Sequence, residues 1–355
     1  MNYFSRTKTA FEQYRDNENA LTLGIETSCD ETAAAVLRGG REVLSMAVHT
    51  QIPVHRLYGG VVPEIASRSH TERITAVVDE AIKNAGVSLG DIGAVAVTSA
   101  PGLIGALLVG VSFAKGIALA KDIPYLGVNH IEGHIAANYL TYADLEPPFM
   151  CLVASGGHSH IVRVDGYTEF TLIGRTRDDA AGEAFDKVAR ALGLPYPGGP
   201  ELEKLAKDGD ENAYRLHTAF NEGESYDFSF SGIKTAVVNI LHNAEQKGEE
   251  VSKADLAASF QRAVTDALTV KSVRAAKEYG MKTLALAGGV SANTCLREKL
   301  ALACKKARIE FCRPDMKYCT DNAAMIACQG HYELMAGKLS SLDLDPSAAS
   351  FLQME

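Results

Sequence analysis

The chain has no tryptophan, and aromatic residues make up 7% of its 355 positions, so its cores must be filled largely by aliphatic side chains. Its seven cysteines are odd in number, and none are spaced Cys-x-x-Cys. That argues against a disulfide framework and against a thiolate zinc site, and for reduced thiols in the cytoplasm. No run of 18 apolar residues occurs, so no membrane span is expected. Residues 1–20 mix Arg and Lys with Glu and Asp and lack an apolar stretch. They do not form a signal peptide, and they read as a polar N-terminal extension with the composition of a disordered terminus. Short motifs are missing as well. There is no GxxxxGK[ST] phosphate loop, no GxGxxG dinucleotide fingerprint and no GxSxG nucleophile elbow. Ser231-Gly232-Ile233-Lys234 fits SxxK, but without its Ser-Asp-Asn or Lys-Thr-Gly partners it is a chance match. Positive charge is also short. The net charge of -9 gives no overall attraction to nucleic acid. Two local clusters, Arg175/Arg177/Lys187/Arg190 and Lys305/Lys306/Arg308, are either basic patches or solvated faces.

What is present is a folded α/β chain, 46% hydrophobic and 22% charged, long enough for two or three domains. Leu21–Glu26 reads as a short apolar strand running into the small, acidic loop Thr27–Thr32. Strands over 33–37 and 43–48 follow, then a helix over 63–85, a strand over 92–98, a helix over 103–120 and a strand over 124–128. The second half opens the same way. Phe149–Ala154 is a strand running into Ser155-Gly156-Gly157-His158-Ser159, followed by strands over 160–164 and 170–173. Helices are expected over 180–192, 201–207, 254–278, 291–306 and 322–335, with strands at 283–287 and 309–312. The repeat is one of topology, with Val153 about 128 residues after Ile25. It predicts two ribonuclease-H-like lobes, each a mixed sheet covered on both faces, with a cleft between them. The lobes are expected at 21–128 with about 315–355, and at 129–314 with a helical insertion over about 180–280.

Five segments carry candidate chemistry. His130 and His134 share a helical face at i, i+4 and form either a metal-binding pair or a satisfied surface pair. Ile131 stands where a zinc protease needs its glutamate, so that reading lacks a base. Ser155-Gly156-Gly157 at a strand end is either a nest of backbone N–H groups for phosphate or a plain hairpin turn. Gly288-Gly289 before Ser291-Ala292-Asn293 follows a buried strand and opens a helix. It can admit a ligand, with Asn293 on a base edge or ribose, or be a turn with Ser291 as N-cap. Asp179, Glu183 and Asp186 fall on one helical face, either as ligands to a ribose or amine or as a solvated acidic first turn. Asp321 before the last helix reads locally as an N-cap.

Taken together, eight segments resemble one family. They are Gly24–Thr32, Pro63–Arg68, Asn129–His134, Ser155–His158, Asp178–Lys187, Phe230–Lys234, Gly288–Asn293 and Tyr318–Asn322. The family is the bacterial tRNA N6-adenosine threonylcarbamoyltransferases, once called glycoproteases, and the resemblance covers about residues 21–340. It implies an actin-like ATPase (sugar kinase/Hsp70) fold. It also implies transfer of threonylcarbamoyl from threonylcarbamoyl-AMP to N6 of adenosine 37, just 3′ of the anticodon, in tRNAs reading ANN codons. By that resemblance His130, His134 and Asp321 hold one divalent metal, iron(II) in preference to zinc. Val153, Ala154, Ser155, Gly156 and Gly157 line the phosphate side of the adenylate, Asp186 and Gly199 its ribose, and Asn293 reaches it from the other side. Glu203 replaces an aspartate common in the family, one methylene longer. Asp30 and Glu31 face the cleft as candidate catalytic carboxylates. The implied partners are tRNA, a paralogous non-catalytic subunit and a small ATPase, with no membrane. The competing classes are a sugar- or acetate-kinase-like phosphotransferase, a metalloprotease and a non-catalytic scaffold.

Overall fold

A computed structural model describes residues 3–216, 225–349 and 353–354. Two mixed sheets form its frame. The first has β1 (Leu21–Glu26), β2 (Glu31–Arg38), β3 (Glu42–Thr50), β4 (Ala94–Ala100) and β5 (Tyr125–Asn129) in the order β3-β2-β1-β4-β5. The second adds β6 (Phe149–Ala154), β7 (Ser159–Gly166), β8 (Glu169–Arg175), β9 (Thr283–Ala287), β10 (Glu310–Cys312) and β11 (Gln353–Met354), ordered β10-β9-β6-β7-β8-β11. Each begins as an antiparallel meander and continues with parallel strands beside its first strand. The repeat expected from the sequence is thus a repeat of strand order.

Eleven helices are described: α1 (Tyr3–Arg15), α2 (Ile52–Arg56), α3 (Pro63–Asn84), α4 (Ile104–Lys121), α5 (His130–Ala136), α6 (Ala181–Ala191), α7 (Gly198–Ala206), α8 (Ser231–Lys247), α9 (Lys253–Glu278), α10 (Thr294–Ala307) and α11 (Ala323–Met335). The pleat sorts the strand residues among three cores. Leu23 and Ile25 of β1 join Val95, Val97 and the inner faces of α3 and α4. On β6, Met150, Leu152 and Ala154 face α6–α10, whereas Phe149, Cys151 and Val153 face the core that contains α5 and α11. That third core also takes Ala33, Ala35, Ala94 and Ala96 of the first sheet. The pair α5/α11 is therefore sandwiched between the two sheets. Strands covered on both faces read as continuous apolar runs, as these do.

Two close approaches depend on glycine. A Cβ on Gly24 would lie 2.2 Å from the Ala323 carbonyl oxygen, so only glycine lets α11 sit directly on β1. Within the second sheet, Gly288, at φ +84°, lies so close to the end of β6 that an added Cβ would sit 2.5 Å from the Ala154 carbonyl oxygen.

Some expectations are corrected. Residues 3–15 are a helix, not a disordered extension, because Tyr3, Thr7 and Tyr14 are buried against the body. Tyr3 donates to the Ile123 carbonyl at 2.6 Å, and Tyr14 Oη pairs with Thr22 Oγ1 at 2.6 Å and His331 Nδ1 at 2.7 Å. The helix expected over 291–306 begins at Thr294, after a 3-10 turn over Gly289–Ala292. Helix α8 starts at the set-aside Ser231-Gly232-Ile233-Lys234. Asp178 explains it, accepting from Phe230 N at 2.8 Å, Ser231 N at 3.2 Å and Ser231 Oγ at 2.7 Å. Among the described residues, α4 is the one helix long and apolar enough to cross a membrane, and it packs on β4 and α3. After α11 the chain follows the first sheet, with Ser340 N donating to Tyr125 O at 3.1 Å, before β11 pairs with β8.

Candidate metal centre and active site

Helix α5 starts at the end of β5, where the Asn129 side chain caps it by accepting from Ile131 N. His130 and His134 then lie one turn apart with ring centroids 4.5 Å apart, and both are buried. Asp321 reaches them from the start of α11. Its Oδ1 lies 3.4 Å from His130 Nε2 and 3.2 Å from His134 Nε2. The local reading of Asp321 as an N-cap is corrected. Asn322 is the cap, its Oδ1 accepting from Met325 N at 3.0 Å, which leaves the Asp321 carboxylate free to face the histidines.

The electrostatics of this trio call for a cation. Burial pulls both imidazoles toward the neutral form. At His130 Asp321 and Glu26 overcome that pull and raise its basicity well above the ordinary. At His134 burial and the neighbouring His130 win, and its pKa falls. Asp321 is held well below the usual carboxylate range, its burial outweighed by the two histidines. Neither ring nitrogen of His134 has a hydrogen-bond partner, although both are buried. Three ligand atoms, one from each residue, lie within 4.8 Å of one another. Two imidazoles and a carboxylate are a sound donor set for a divalent transition metal, and the residues present fit one.

The acidic loop borders this centre. His70 holds it, with Nε2 donating to Cys29 O at 2.9 Å and Nδ1 paired with Thr32 Oγ1 at 2.8 Å. Asp30 accepts from Tyr196 Oη at 3.3 Å across the lobes. Burial, then the charges of Asp30 and Asp321, raise the Glu31 pKa.

In the second lobe, Ser155 N donates to His158 O at 2.8 Å, closing a tight turn. Gly156 and Gly157 are exposed, and a Cβ on either would meet nothing. Val153 and Ala154 are fully buried with their side chains in opposite cores, so neither side chain lines a cleft. Asp186 Oδ1 accepts from Gly198 N at 2.7 Å, which sets it beside Gly199, itself open to any added Cβ. Burial raises the Asp186 pKa. Glu203 and Asn293 are engaged within the protein. Glu203 Oε1 accepts from Thr294 N at 2.8 Å. Asn293, in place of the expected Ser291, caps α10 by accepting from Leu296 N at 2.9 Å, and its Nδ2 donates to Gln261 Oε1 at 2.9 Å. Asp179 precedes α6 and pairs with Lys187 at 2.7 Å and Lys234 at 2.8 Å, and Glu183 pairs with Lys187 at 2.8 Å, which accounts for two of the three acidic side chains within the protein.

Sequence reasoning missed three residues. Glu26 is wholly buried with Oε2 2.9 Å from His130 Nδ1. His158 lies near the trio, and burial, then the His160 charge, depress it to about 3. Tyr196 reaches Asp30 from the other lobe. Glu26 left a trace as a carboxylate ending an otherwise apolar strand, and His158 stood in the Ser155–His158 segment without a role.

A two-lobed α/β protein with two histidines and an aspartate converging between its lobes belongs to the actin-like ATPase fold class with a metal-type centre. HypF from T. kodakarensis shares the fold at TM-score 0.62 and 16% identity, over 92% of this chain and 49% of that one. Component A of (R)-2-hydroxyglutaryl-CoA dehydratase from Acidaminococcus fermentans does so at TM-score 0.52 and 15% identity, over 89% and 99%. The chain belongs to the tRNA N6-adenosine threonylcarbamoyltransferase family, whose sequence pattern matches residues 42–328. The Clostridium botulinum (strain Hall) tRNA N6-adenosine threonylcarbamoyltransferase is 55% identical over 92% of this chain and 96% of its own length. The Caldicellulosiruptor saccharolyticus protein of the same name is 54% identical over 90% and 95%. The phosphotransferase, protease and scaffold classes are thereby set aside.

Proposed function

We infer that this chain is a transferase that moves a threonylcarbamoyl group from threonylcarbamoyl-AMP to N6 of adenosine 37 in tRNAs reading ANN codons, releasing AMP. The observation that carries the reading is the convergence of His130, His134 and Asp321 from α5 and the distant start of α11. The amine nitrogen attacks the carbamoyl carbon, the C–N bond forms, and the bond from that carbon to the phosphate oxygen breaks. The electron pair leaves with AMP, and the amine gives up a proton. AMP is already a good leaving group, so the protein's main task is orientation and charge stabilisation. Bound by His130, His134 and Asp321, a divalent cation supplies an electrophile for phosphate oxygens. Two imidazoles and one carboxylate with open positions suit iron(II), the preferred occupant, and also suit zinc.

The other residues take the following roles. The exposed backbone of Gly156 and Gly157, held by the buried Ser155, faces the donor's phosphate. Asp186 and Gly199 meet its ribose. Val153 and Ala154 contribute backbone only, and Glu203 and Asn293 shape the nucleotide side through α10. Asp30 and Glu31 are the carboxylates placed to orient the amine or accept its proton, acting as a pair. The target base lies in a single-stranded loop and is reached without opening a duplex. With a net charge of -9, tRNA is held with help from a paralogous subunit and a small ATPase, in the cytoplasm. The separate sheets of β1–β5 and β6–β10 and the packing of α11 on β1 favour a division into 21–128 with about 315–340, against 129–314; the expected extension of the first lobe to 355 fails at β11, which joins the second sheet beside β8.

The test is transfer of radiolabelled threonine to unmodified tRNA with the partner proteins, a donor synthase, ATP and bicarbonate. Wild type is run beside His130→Ala/His134→Ala, with metal content measured on both. Label on the anticodon-loop adenosine in wild type alone, with metal lost from the variant, is expected. No label in either, with every partner active, would remove the reading.

A further inference from the structure

Glu26 is buried at 0% exposure at the end of β1, where an isolated carboxylate costs several kcal/mol. Every donor it needs is present. Ser28 N donates to Oε1, Thr98 Oγ1 donates to Oε2 at 2.6 Å, and His130 Nδ1 lies 2.9 Å from the same Oε2. The pleat puts Glu26 on the face of β1 shared with Gly24, the face on which α11 lies, so one strand sets both the carboxylate and the approach of Asp321. Asp321 also faces this ring, but from Nε2 at 3.4 Å, so in a neutral imidazole the shorter 2.9 Å contact of Nδ1 with Glu26 decides the arrangement. The proton sits on Nδ1, and the lone pair sits on Nε2, the atom that faces Asp321 at 3.4 Å.

We propose that Glu26 is the positioning residue of the metal centre, fixing the tautomer and the ring orientation of His130 so that Nε2 is its ligand atom. The inference rests on the metal-binding reading above. Glutamine is the telling replacement. It keeps the shape of Glu26 but turns one oxygen into an N–H donor, and because the Ser28 backbone N–H is a fixed donor that must keep an oxygen, the new N–H faces Thr98, whose hydroxyl can rotate, and His130, whose ring can change tautomer. With the donor toward His130, the imidazole moves its proton to Nε2 and loses its ligand lone pair.

The experiment uses the full chain and Zn2+ as probe, titrated against a chromophoric chelator. Melting temperatures are recorded with and without the metal. Glu26→Gln is expected to bind Zn2+ about 10–100-fold more weakly than wild type. Its metal-free melting temperature is expected to stay within a few degrees of wild type, because glutamine keeps the side chain's volume and Asp321 still faces His130. A purely structural glutamate would do the reverse, lowering the metal-free melting temperature and leaving the zinc affinity alone. Should Glu26→Gln not fold, long-range 1H–15N correlation on zinc-loaded wild type decides, since a proton on His130 Nδ1 supports the proposal and a proton on Nε2 overturns it. Zinc affinity of Glu26→Gln within twofold of wild type overturns the proposal and leaves the metal centre standing. Failure of wild type to bind Zn2+ removes both.

Discussion

At the scale of single residues, the centre depends on a division of labour between Asp321 and Asn322. Either can cap a helix, and Asn322 does so, which frees a carboxylate for the histidines. Asp321→Asn should therefore abolish metal binding while leaving α11 folded from its first turn, because the cap remains. Bound metal per chain and a thermal melt check this, and full metal occupancy in the variant would refute it. Gly24 acts at a distance from the chemistry. Its hypothetical Cβ lies 2.2 Å from a backbone oxygen and 2.8 Å from Ala327 Cβ, neither of which is the far end of a flexible chain. Gly24→Ala is expected to push α11 off β1, cost about 1–3 kcal/mol as overpacking does, and displace Asp321. Denaturant unfolding together with metal titration would show both losses. The roles of His130 and His134 were legible only through the company they keep, because a histidine pair at helical spacing is ambiguous until a third ligand has a place. Asp321 could not be placed by local rules, since capping chemistry is shared by Asp and Asn.

At the scale of elements, the strands and the long helices were legible because strands covered on both faces are near-continuous apolar runs bounded by glycine and acidic turns. Helix α1 was not. Its residues are mostly polar, and what orders them is a few long-range contacts, above all Tyr14 with Thr22 and His331. Helix α8 was missed because its start is set by Asp178, a residue more than 50 positions earlier. The α1 dock carries a pH dependence. Burial depresses the His331 pKa to about 4, whereas the unfolded chain titrates near 6.5. Between those values the unfolded state binds the proton and the folded state does not. Stability present above pH 6.5 is therefore lost as the pH falls toward 4. Comparing melts at pH 7.5 and 5, His331→Gln should shrink the acid-induced drop in melting temperature by roughly 2–5 °C. An equal drop in both proteins would mean that His331 does not titrate in this window.

At the scale of the whole molecule, the repeated strand order gave two lobes, but the way they meet had no local signature. Besides the pairing of β11 with β8 and the bonds of Arg41 to the Tyr142, Ala143 and Leu145 carbonyls, two attachments border the site. The α5/α11 layer is a core shared by both sheets, with Ile131, Ile135, Met325 and Ile326 fully buried in it. The other is thin and lies at the edge of the acidic loop. Arg56 Nε donates to Tyr196 O at 2.8 Å, Arg190 donates to Gly59 O, and Tyr196 Oη reaches Asp30 at 3.3 Å. Exposed hydrogen bonds of this kind contribute about 0.5–1.5 kcal/mol each, far less than a buried layer. The apolar core should therefore hold the lobes together, while the thin contact sets how closely their edges approach over Asp30 and Asp186. Arg56→Ala/Arg190→Ala is accordingly expected to leave the melting temperature nearly unchanged. Amide exchange should rise in residues 52–60 and 193–199 and stay constant in α5 and α11. If exchange in the two edge segments does not change, the contact does not restrain them and the spacing of the lobes is set without it. If exchange also rises in α5, the two attachments are coupled, and the edge contact helps hold the metal-binding helix in place.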